Sequence, residues 1–110
     1  MLEEYLFDMY NICMNEISFE WDENKNSINK EKHGVSFEEA KTVFYDGNAL
    51  LEYDEKHSEQ EDRFRILGMS YSGKVLMVVH CIREESVIRI ISSRKATDNE
   101  RKGYERSKGL

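Results

Sequence analysis

Two patterns of apolar positions follow one another near the start of the chain. Residues 17–21 read Ile-Ser-Phe-Glu-Trp and alternate with a period of two, which predicts a short strand. Residues 22–33 are mostly polar. Asp22 offers an N-cap before them and Gly34 a left-handed stop after them, so this stretch is predicted to be a partly exposed helix.

A second helix is predicted behind Gly34. Ser36 and Glu39 have the spacing of a capping box, in which the hydroxyl accepts from a helical amide and the carboxylate reaches back. The apolar residues of this segment recur at helical spacing and should form its buried face: Phe37, Ala40, Val43 and Phe44.

The second half of the chain reads mostly as sheet, with an acidic loop over residues 54–62. Four strands are predicted: Ala49 to Tyr53, Phe64 to Met69, Lys74 to Ile82 and Ser86 to Arg94. A capping box at Thr97 and Glu100 then opens a C-terminal helix that runs to about Lys108. Because helices and strands are grouped separately, the predicted class is α+β, with two N-terminal helices, an antiparallel sheet of four to five strands and a C-terminal helix.

Strict alternation along the last predicted strand divides its side chains between two faces. One face would carry Val87, Arg89, Ile91 and Ser93, and the other Ile88, Ile90, Ser92 and Arg94. Guanidinium groups within a β-branched strand have to be paired, reach solvent or meet an anion.

The length of 110 residues fits a single domain. Residues 1–15 read as an N-terminal extension, either a short helix or disordered, with Met14 as an alternative start, and residues 16–110 as the domain. The two cysteines fit no metal or redox spacing and indicate free thiols of a reducing compartment. No membrane span or secretion signal is evident, so we expect a soluble cytoplasmic protein without a membrane partner.

Charge is divided unequally between the two halves of the chain. Residues 1–62 hold 5 Lys and Arg against 17 Asp and Glu, whereas residues 63–110 hold 11 against 5. Such asymmetry favours a polyanionic partner for the basic half, although the two halves can also neutralise each other within the fold.

The junction between the last strand and the C-terminal helix is a candidate anion site. Arg94 and Lys95 directly precede helical amides that carry the positive end of the helix dipole, and phosphate suits that arrangement. Arg63 and Arg65 are two residues apart and could extend the patch. The alternative is that Arg89 pairs with a carboxylate and the remaining cations are solvated.

Lys32 and His33 occupy the last turn of the first predicted helix. Facing the arginines, they would supply proton transfer for phosphodiester cleavage, but two cations can also simply compensate the helix dipole. His57 and His80 are more readily explained as structural. Trp21 is either a core anchor or a platform for a base. The acidic residues of the 54–62 loop lack calcium-loop spacing, and no metal or cofactor site is predicted.

Three blocks of sequence extend beyond single motifs. They read Phe19-Glu20-Trp21-Asp22 with Lys32-His33-Gly34-Val35-Ser36-Phe37-Glu38-Glu39-Ala40, then Glu61-Asp62-Arg63 with Gly68, then Arg89-Ile90-Ile91-Ser92-Ser93-Arg94-Lys95-Ala96-Thr97 with Glu100-Arg101 and Tyr104. Over residues 18–105 the chain resembles the BrnT family, ribonuclease toxins of bacterial type II toxin–antitoxin systems. One departure is Ser93, where the family usually has Ala.

The resemblance implies a RelE-like fold, metal-independent cleavage of RNA with inhibition of translation and growth, and a BrnA-type antitoxin that binds the operator in the complex. Transferred position by position, the implied catalytic residues are Lys32, His33, Arg63, Arg89 and Arg94. The implied substrate-binding residues are Trp21, Ser92, Lys95 and Tyr104. A non-catalytic module that binds nucleic acid or the antitoxin through the same basic surface is the alternative.

Overall fold

The computed structural model describes residues 17–109, so the predicted N-terminal extension lies outside the described residues. The strands are β1 (Ser18–Glu20), β2 (Leu50–Tyr53), β3 (Phe64–Met69), β4 (Val75–Arg83) and β5 (Val87–Lys95). The α-helices are α1 (Glu23–His33), α2 (Phe37–Ala40) and α3 (Asp98–Ser107). Two 3₁₀ segments complete the described secondary structure: Lys41–Tyr45, which continues α2, and Glu55–His57. The predicted α+β class is confirmed.

The five strands form one sheet in the order β1-β5-β4-β3-β2. β2 through β5 pair antiparallel, but β1 pairs parallel to β5, so the sheet is mixed rather than wholly antiparallel as expected. The difference arises because most of the chain separates β1 from β5. No tight turn joins these two strands, and only a tight turn would force opposite directions.

One face of the sheet, hereafter the inner face, packs against α2 and its 3₁₀ extension. Ile66, Val78, Ile88 and Ile90 of the strands bury against the predicted helix face of Phe37, Ala40, Val43 and Phe44. All eight side chains are almost fully inaccessible to solvent, which confirms the predicted core positions.

Helix α1 has the caps that its sequence predicts. The Asp22 carboxylate accepts from the backbone N–H of Asn24 at 2.9 Å, and Gly34 adopts φ +71° at the C-terminal end. The residues of α1 that are buried are both polar, Asn26 and Asn29. Side-chain hydrogen bonds therefore replace an apolar stripe in holding α1 to the domain. No helix among residues 17–109 is long and apolar enough to cross a membrane.

The two predicted capping boxes differ in outcome. At the start of α3, Thr97 and Glu100 form the complete reciprocal box. At the start of α2, the Ser36 hydroxyl accepts from the Glu39 N–H at 3.1 Å, but the Glu39 carboxylate does not reach back. It accepts instead from the hydroxyls of Ser70, at 2.7 Å, and Ser72 in the β3–β4 turn. Hydrogen bonds to residues distant in sequence therefore replace the local capping contact of the Glu39 carboxylate.

Candidate active site

The face of the sheet opposite α2 and its 3₁₀ extension, hereafter the outer face, is identified by strand register. Residues opposite each other in an antiparallel pair point to the same face. Val78 belongs to the inner core, so its neighbours Met77 and Val79 point outward. Their partners on β5 are Arg94 and Ser92, while Arg89 lies opposite outward-facing Cys81. Arg89, Ser92 and Arg94 therefore share the outer face.

This arrangement corrects the alternation expected from the sequence, which assigned Arg89 to one face and Ser92 and Arg94 to the other. The register of β4 and β5 shifts between Val79 and His80, where β5 contributes one residue more than β4. The extra residue is Ile91, since Ser92 pairs with Val79 and Ile90 with His80. A bulge of this kind reverses the phase of everything beyond it. Because of the bulge, Ser93 points to the inner face, and Ser92 and Arg94 point to the outer face with Arg89.

Carboxylates neutralise most arginines of the outer face. Arg89 reaches Glu20 at 2.8 Å, Arg65 reaches Glu52 at 2.7 Å, and Arg83 reaches Glu61 at 3.4 Å. Glu20 and Arg89 are also register partners across β1 and β5. These pairs are partly exposed, so each contributes little stability and an incoming phosphate can compete for the guanidinium.

The junction before α3 is already occupied by an anion of the protein itself. Arg94 makes a bidentate pair with Glu100, at 2.8 and 3.1 Å, and Glu100 also accepts from the Thr97 N–H at 2.8 Å. The Arg94 guanidinium lowers the pKa of Glu100 to about 2. The site that the sequence suggests for a phosphate is therefore filled by the Glu100 carboxylate, because the capping box and the arginine converge on it.

The end of α1 is joined to β5 through one side chain. Asn29 Nδ2 donates to the carbonyl oxygen of Ser93 at 2.8 Å and to its Oγ at 3.0 Å, and the Ser93 N–H donates to Asn29 Oδ1 at 3.2 Å. Lys32 and His33 follow one turn later and are exposed. The last turn of α1 thus lies beside the segment that carries Ser92, Arg94 and Lys95.

The predicted site residues fall into two groups at opposite ends of β5. Lys32 and His33 lie near the end that carries Arg94 and Lys95, whereas Arg89 lies at the end beside β1. Within residues 17–109, no hydrogen bond or ion pair joins Lys32 or His33 to an arginine. The two stretches meet through Asn29 and Ser93 rather than through a shared pocket.

Two predicted substrate-binding residues contact other side chains of the protein. Trp21 packs edge-on against Phe37, with ring centroids 6.1 Å apart, and donates its indole N–H to Glu23 at 3.0 Å. Tyr104 is buried, and its hydroxyl donates to Asp46 at 2.5 Å. Burial, together with the Asp46 carboxylate, raises the pKa of Tyr104 to about 12. Both contacts stabilise the fold.

Arg63 differs from the other arginines of the sheet and its strand ends. It makes no ion pair within the described part of the chain, and its Nε is buried without a hydrogen-bond partner. A polar cavity opens beside it, lined by Lys56, His57, Glu59, Gln60, Glu61 and Arg63.

The two remaining histidines differ in setting. His80 is fully buried between Phe44 and Phe64, and burial lowers its pKa to about 4, consistent with the structural role expected. His57 is exposed and its Nδ1 lies 3.1 Å from both carboxylate oxygens of Asp54. This pair was not predicted from the sequence, although the i, i+3 spacing of Asp54 and His57 is a signal that could have indicated it.

Comparison with known proteins identifies the family of this chain. The family model described as the ribonuclease toxin BrnT of type II toxin–antitoxin systems matches residues 21–100. Among solved structures, the chain is similar to the 1.1 Å crystal structure of the Brucella abortus ribonuclease toxin BrnT, with 21% identity and a TM-score of 0.58. That match covers 74% of this chain and 99% of the Brucella chain, and supports the fold. No curated protein matches. Since the family model spans well over half of its residues, this chain belongs to the BrnT ribonuclease toxin family.

Proposed function

We propose that this protein cleaves RNA on the outer face of its sheet, without a metal ion, and thereby inhibits translation and growth. The single observation that carries the proposal is the bulge at Ile91, which brings Arg89, Ser92 and Arg94 to one face. Guanidinium groups on one surface suit the non-bridging oxygens of a phosphodiester, particularly when charge accumulates on them in the transition state.

The reaction that we infer is attack of a ribose 2′-oxygen on the adjacent phosphorus. The O2′–P bond forms as the P–O5′ bond breaks. The hydroxyl proton passes to a base, and a proton is delivered to the leaving 5′ oxygen. Lys32 or His33 is the proton-transfer group that the sequence proposes, and Asn29 holds their helix turn beside Ser92 and Arg94.

Among the arginines of β5, Arg89 is the better placed to bind phosphate. Its partner Glu20 is partly exposed and makes one contact, whereas Glu100 holds Arg94 with two hydrogen bonds and also caps α3. We therefore assign Arg89 to phosphate binding and transition-state stabilisation. Arg94 takes part only if phosphate displaces the Glu100 carboxylate.

A type II toxin has an antitoxin partner, and membership of the family extends this to the present protein. We propose that a BrnA-type antitoxin covers the arginines of the outer face and supplies operator binding in the complex. RNA is the proposed substrate in the absence of the antitoxin. A competing function is binding without cleavage. The carboxylate partners of Arg65, Arg83 and Arg89 favour it, because paired arginines are less available to stabilise charge in a transition state.

The test is RNA degradation by the purified protein in excess EDTA, with Arg89→Ala and Arg101→Ala as a matched pair. Both arginines have one carboxylate partner, but Arg101 pairs with Asp98 on the solvent-exposed side of α3. We expect Arg89→Ala to lower the cleavage rate about 100-fold, as loss of a transition-state donor of about 3 kcal/mol implies, while Arg101→Ala cleaves like the wild type. Wild-type protein that yields no new RNA ends, or equal rates for both variants, would refute the proposal.

A further inference from the structure

The acidic loop after β2 contains an ordered His–Asp pair. Asp54 is buried, with 7% of its side chain exposed, whereas the His57 side chain is 65% exposed. The carboxylate only accepts, so the N–H at His57 Nδ1 donates to it. Nε2 is then the ring nitrogen available for proton exchange, oriented by a buried acid.

The backbone around this pair is fixed by its own hydrogen bonds. The Asp54 N–H donates to the carbonyl oxygen of Arg63 at 2.9 Å, and the Ser58 hydroxyl donates to the carbonyl oxygen of Asp54 at 2.6 Å. The Arg63 N–H donates to Ser58 Oγ at 3.0 Å. These bonds tie the backbone of Arg63 to the turn that carries His57.

His57 and Arg63 line the same cavity, of about 370 Å³. Arg63 and Lys56 both line the cavity and make no ion pair within the described residues, so a phosphate need not displace a carboxylate from either cation. Of the two, the Arg63 guanidinium can bind a phosphate with two parallel hydrogen bonds. Glu61, which also lines the cavity, is engaged by Arg83. The other charged groups that face His57 across this cavity and the adjoining surface are Glu55, Lys56, Glu59 and Arg65.

Register places this cavity at the same end of the sheet as Arg89. Phe64, the first residue of β3, lies opposite His80, and Arg89 lies opposite the next residue, Cys81. Arg63 and Arg89 therefore flank β4 at one level, two strand spacings or about 10 Å apart in the backbone. Lys32 and His33 lie toward the opposite end of β5, and His80 is fully buried, so His57 is the exposed histidine on the Arg89 side.

We propose that His57, positioned by Asp54, takes the proton-transfer role in place of Lys32 or His33 and that Arg63 binds the phosphate beside it. The inference rests on the proposed RNA cleavage and specifies its centre. Nε2 takes the 2′-hydroxyl proton as the O2′–P bond forms. The P–O5′ bond breaks and the 5′ oxygen leaves with a proton from water, giving a 2′,3′-cyclic phosphate and a 5′-hydroxyl. Asp54 is a positioning residue that does not touch the RNA.

The test compares His57→Ala, Asp54→Asn and the matched loop control Glu55→Gln, in single-turnover RNA cleavage with EDTA. We expect His57→Ala to lose about 100-fold in rate at saturating RNA with little change in KM, and added imidazole to restore part of it. Asp54→Asn should alter the pH dependence of the rate. Glu55→Gln should leave the maximal rate unchanged and alter the pH dependence less than Asp54→Asn does. Restoration by imidazole and a changed pH profile are effects that a merely structural role would not produce.

If the wild type cleaves RNA and His57→Ala cleaves within about threefold of it, the inference is overturned while the proposed function stands. If the wild type does not cleave RNA at all, the proposed function fails. The proposed phosphate site at His57 and Arg63 is then tested by binding of phosphate alone. Titration with inorganic phosphate, followed by the His57 Cε1–H resonance, should then show a shift in the wild type that Arg63→Ala abolishes. No shift in the wild type overturns the site.

Discussion

Asn29 pairs with Ser93 as a neighbouring strand would. Its side-chain amide both donates to the Ser93 carbonyl oxygen and accepts from the Ser93 N–H, at 2.8 and 3.2 Å. β1 ends at Glu20, opposite Arg89, so β5 has no strand partner on that side beyond this point. Asn29 closes the exposed edge and, in doing so, fixes α1 beside the bulged segment of β5.

This relationship predicts different consequences for the two buried asparagines of α1. Asn26 accepts from the Phe37 N–H at 2.8 Å and so joins α1 to α2, whereas Asn29 joins α1 to β5. We expect each Ala substitution to cost about 1–3 kcal/mol in the free energy of unfolding, since buried backbone groups lose their partners. Only Asn29→Ala should also raise hydrogen exchange at the Ser93 amide. Equal exchange at Ser93 in both variants would contradict the edge-closing role.

Asp46 and Tyr104 make a second polar contact of the interior. Asp46 accepts from the Tyr104 hydroxyl and from the Met69 N–H at 2.8 Å, which ties α3 to the end of β3. Tyr104→Phe should lower the free energy of unfolding by about 1.5–3 kcal/mol, because a hydrogen bond to a charged group is lost. Tyr71→Phe, at a side chain that is 78% exposed, is the control and should change little.

The same pair has a spectroscopic signature. Because the Tyr104 pKa is about 12, one phenol of the wild type should ionise late in an ultraviolet titration, and Tyr104→Phe should lack that step. A titration in which the late step persists in the variant would show that the assigned contact is wrong.

Gly68 is required by close packing. A Cβ atom there would lie 2.9 Å from both Ala49 Cβ and Val43 Cγ1, too close for either to yield easily. We expect Gly68→Ala to cost about 1–3 kcal/mol in unfolding free energy. Gly103 lies in α3 with open space around it, so Gly103→Ala should stabilise by about 0.5–1 kcal/mol. Denaturant unfolding of the two variants should therefore give opposite signs, and equal signs would refute the packing argument.

His80 makes stability depend on pH. Burial lowers its pKa to about 4, from an ordinary value near 6.5, so between these values the unfolded chain binds more protons than the native one. Its contribution is intact above pH 6.5 and is lost as pH falls toward 4. We expect the unfolding free energy to be about 2 kcal/mol lower at pH 5 than at pH 7.5. His80→Leu should flatten this dependence; an unchanged slope would contradict the burial argument.

The sequence was sufficient for the features that depend on local chemistry. Asp22, Gly34 and Thr97 cap helices as predicted, and the four apolar residues of the second helix are buried, because capping and periodicity act over a few residues. The resemblance to the BrnT family is confirmed by the family model.

The remaining features depend on partners distant in sequence. The bulge at Ile91 arises from register with β4, which no alternation within β5 reveals. Glu39 leaves its capping box for hydroxyls more than thirty residues away, and Glu100 fills the junction where a phosphate was expected. His57 was predicted to be structural, and only the fold shows that the Asp54 carboxylate beside it is buried. Such pairings are set by tertiary packing.

The most direct measurement of where RNA binds is a nuclear magnetic resonance titration with an uncleavable RNA that lacks the 2′-hydroxyl at one position. The side-chain Nε–H resonances report each arginine separately. We predict shifts at Arg63 and at Arg89 of the outer face, with Arg101 on α3 unaffected. Shifts confined to Arg101 and Arg106, with Arg63 and Arg89 unmoved, would contradict it.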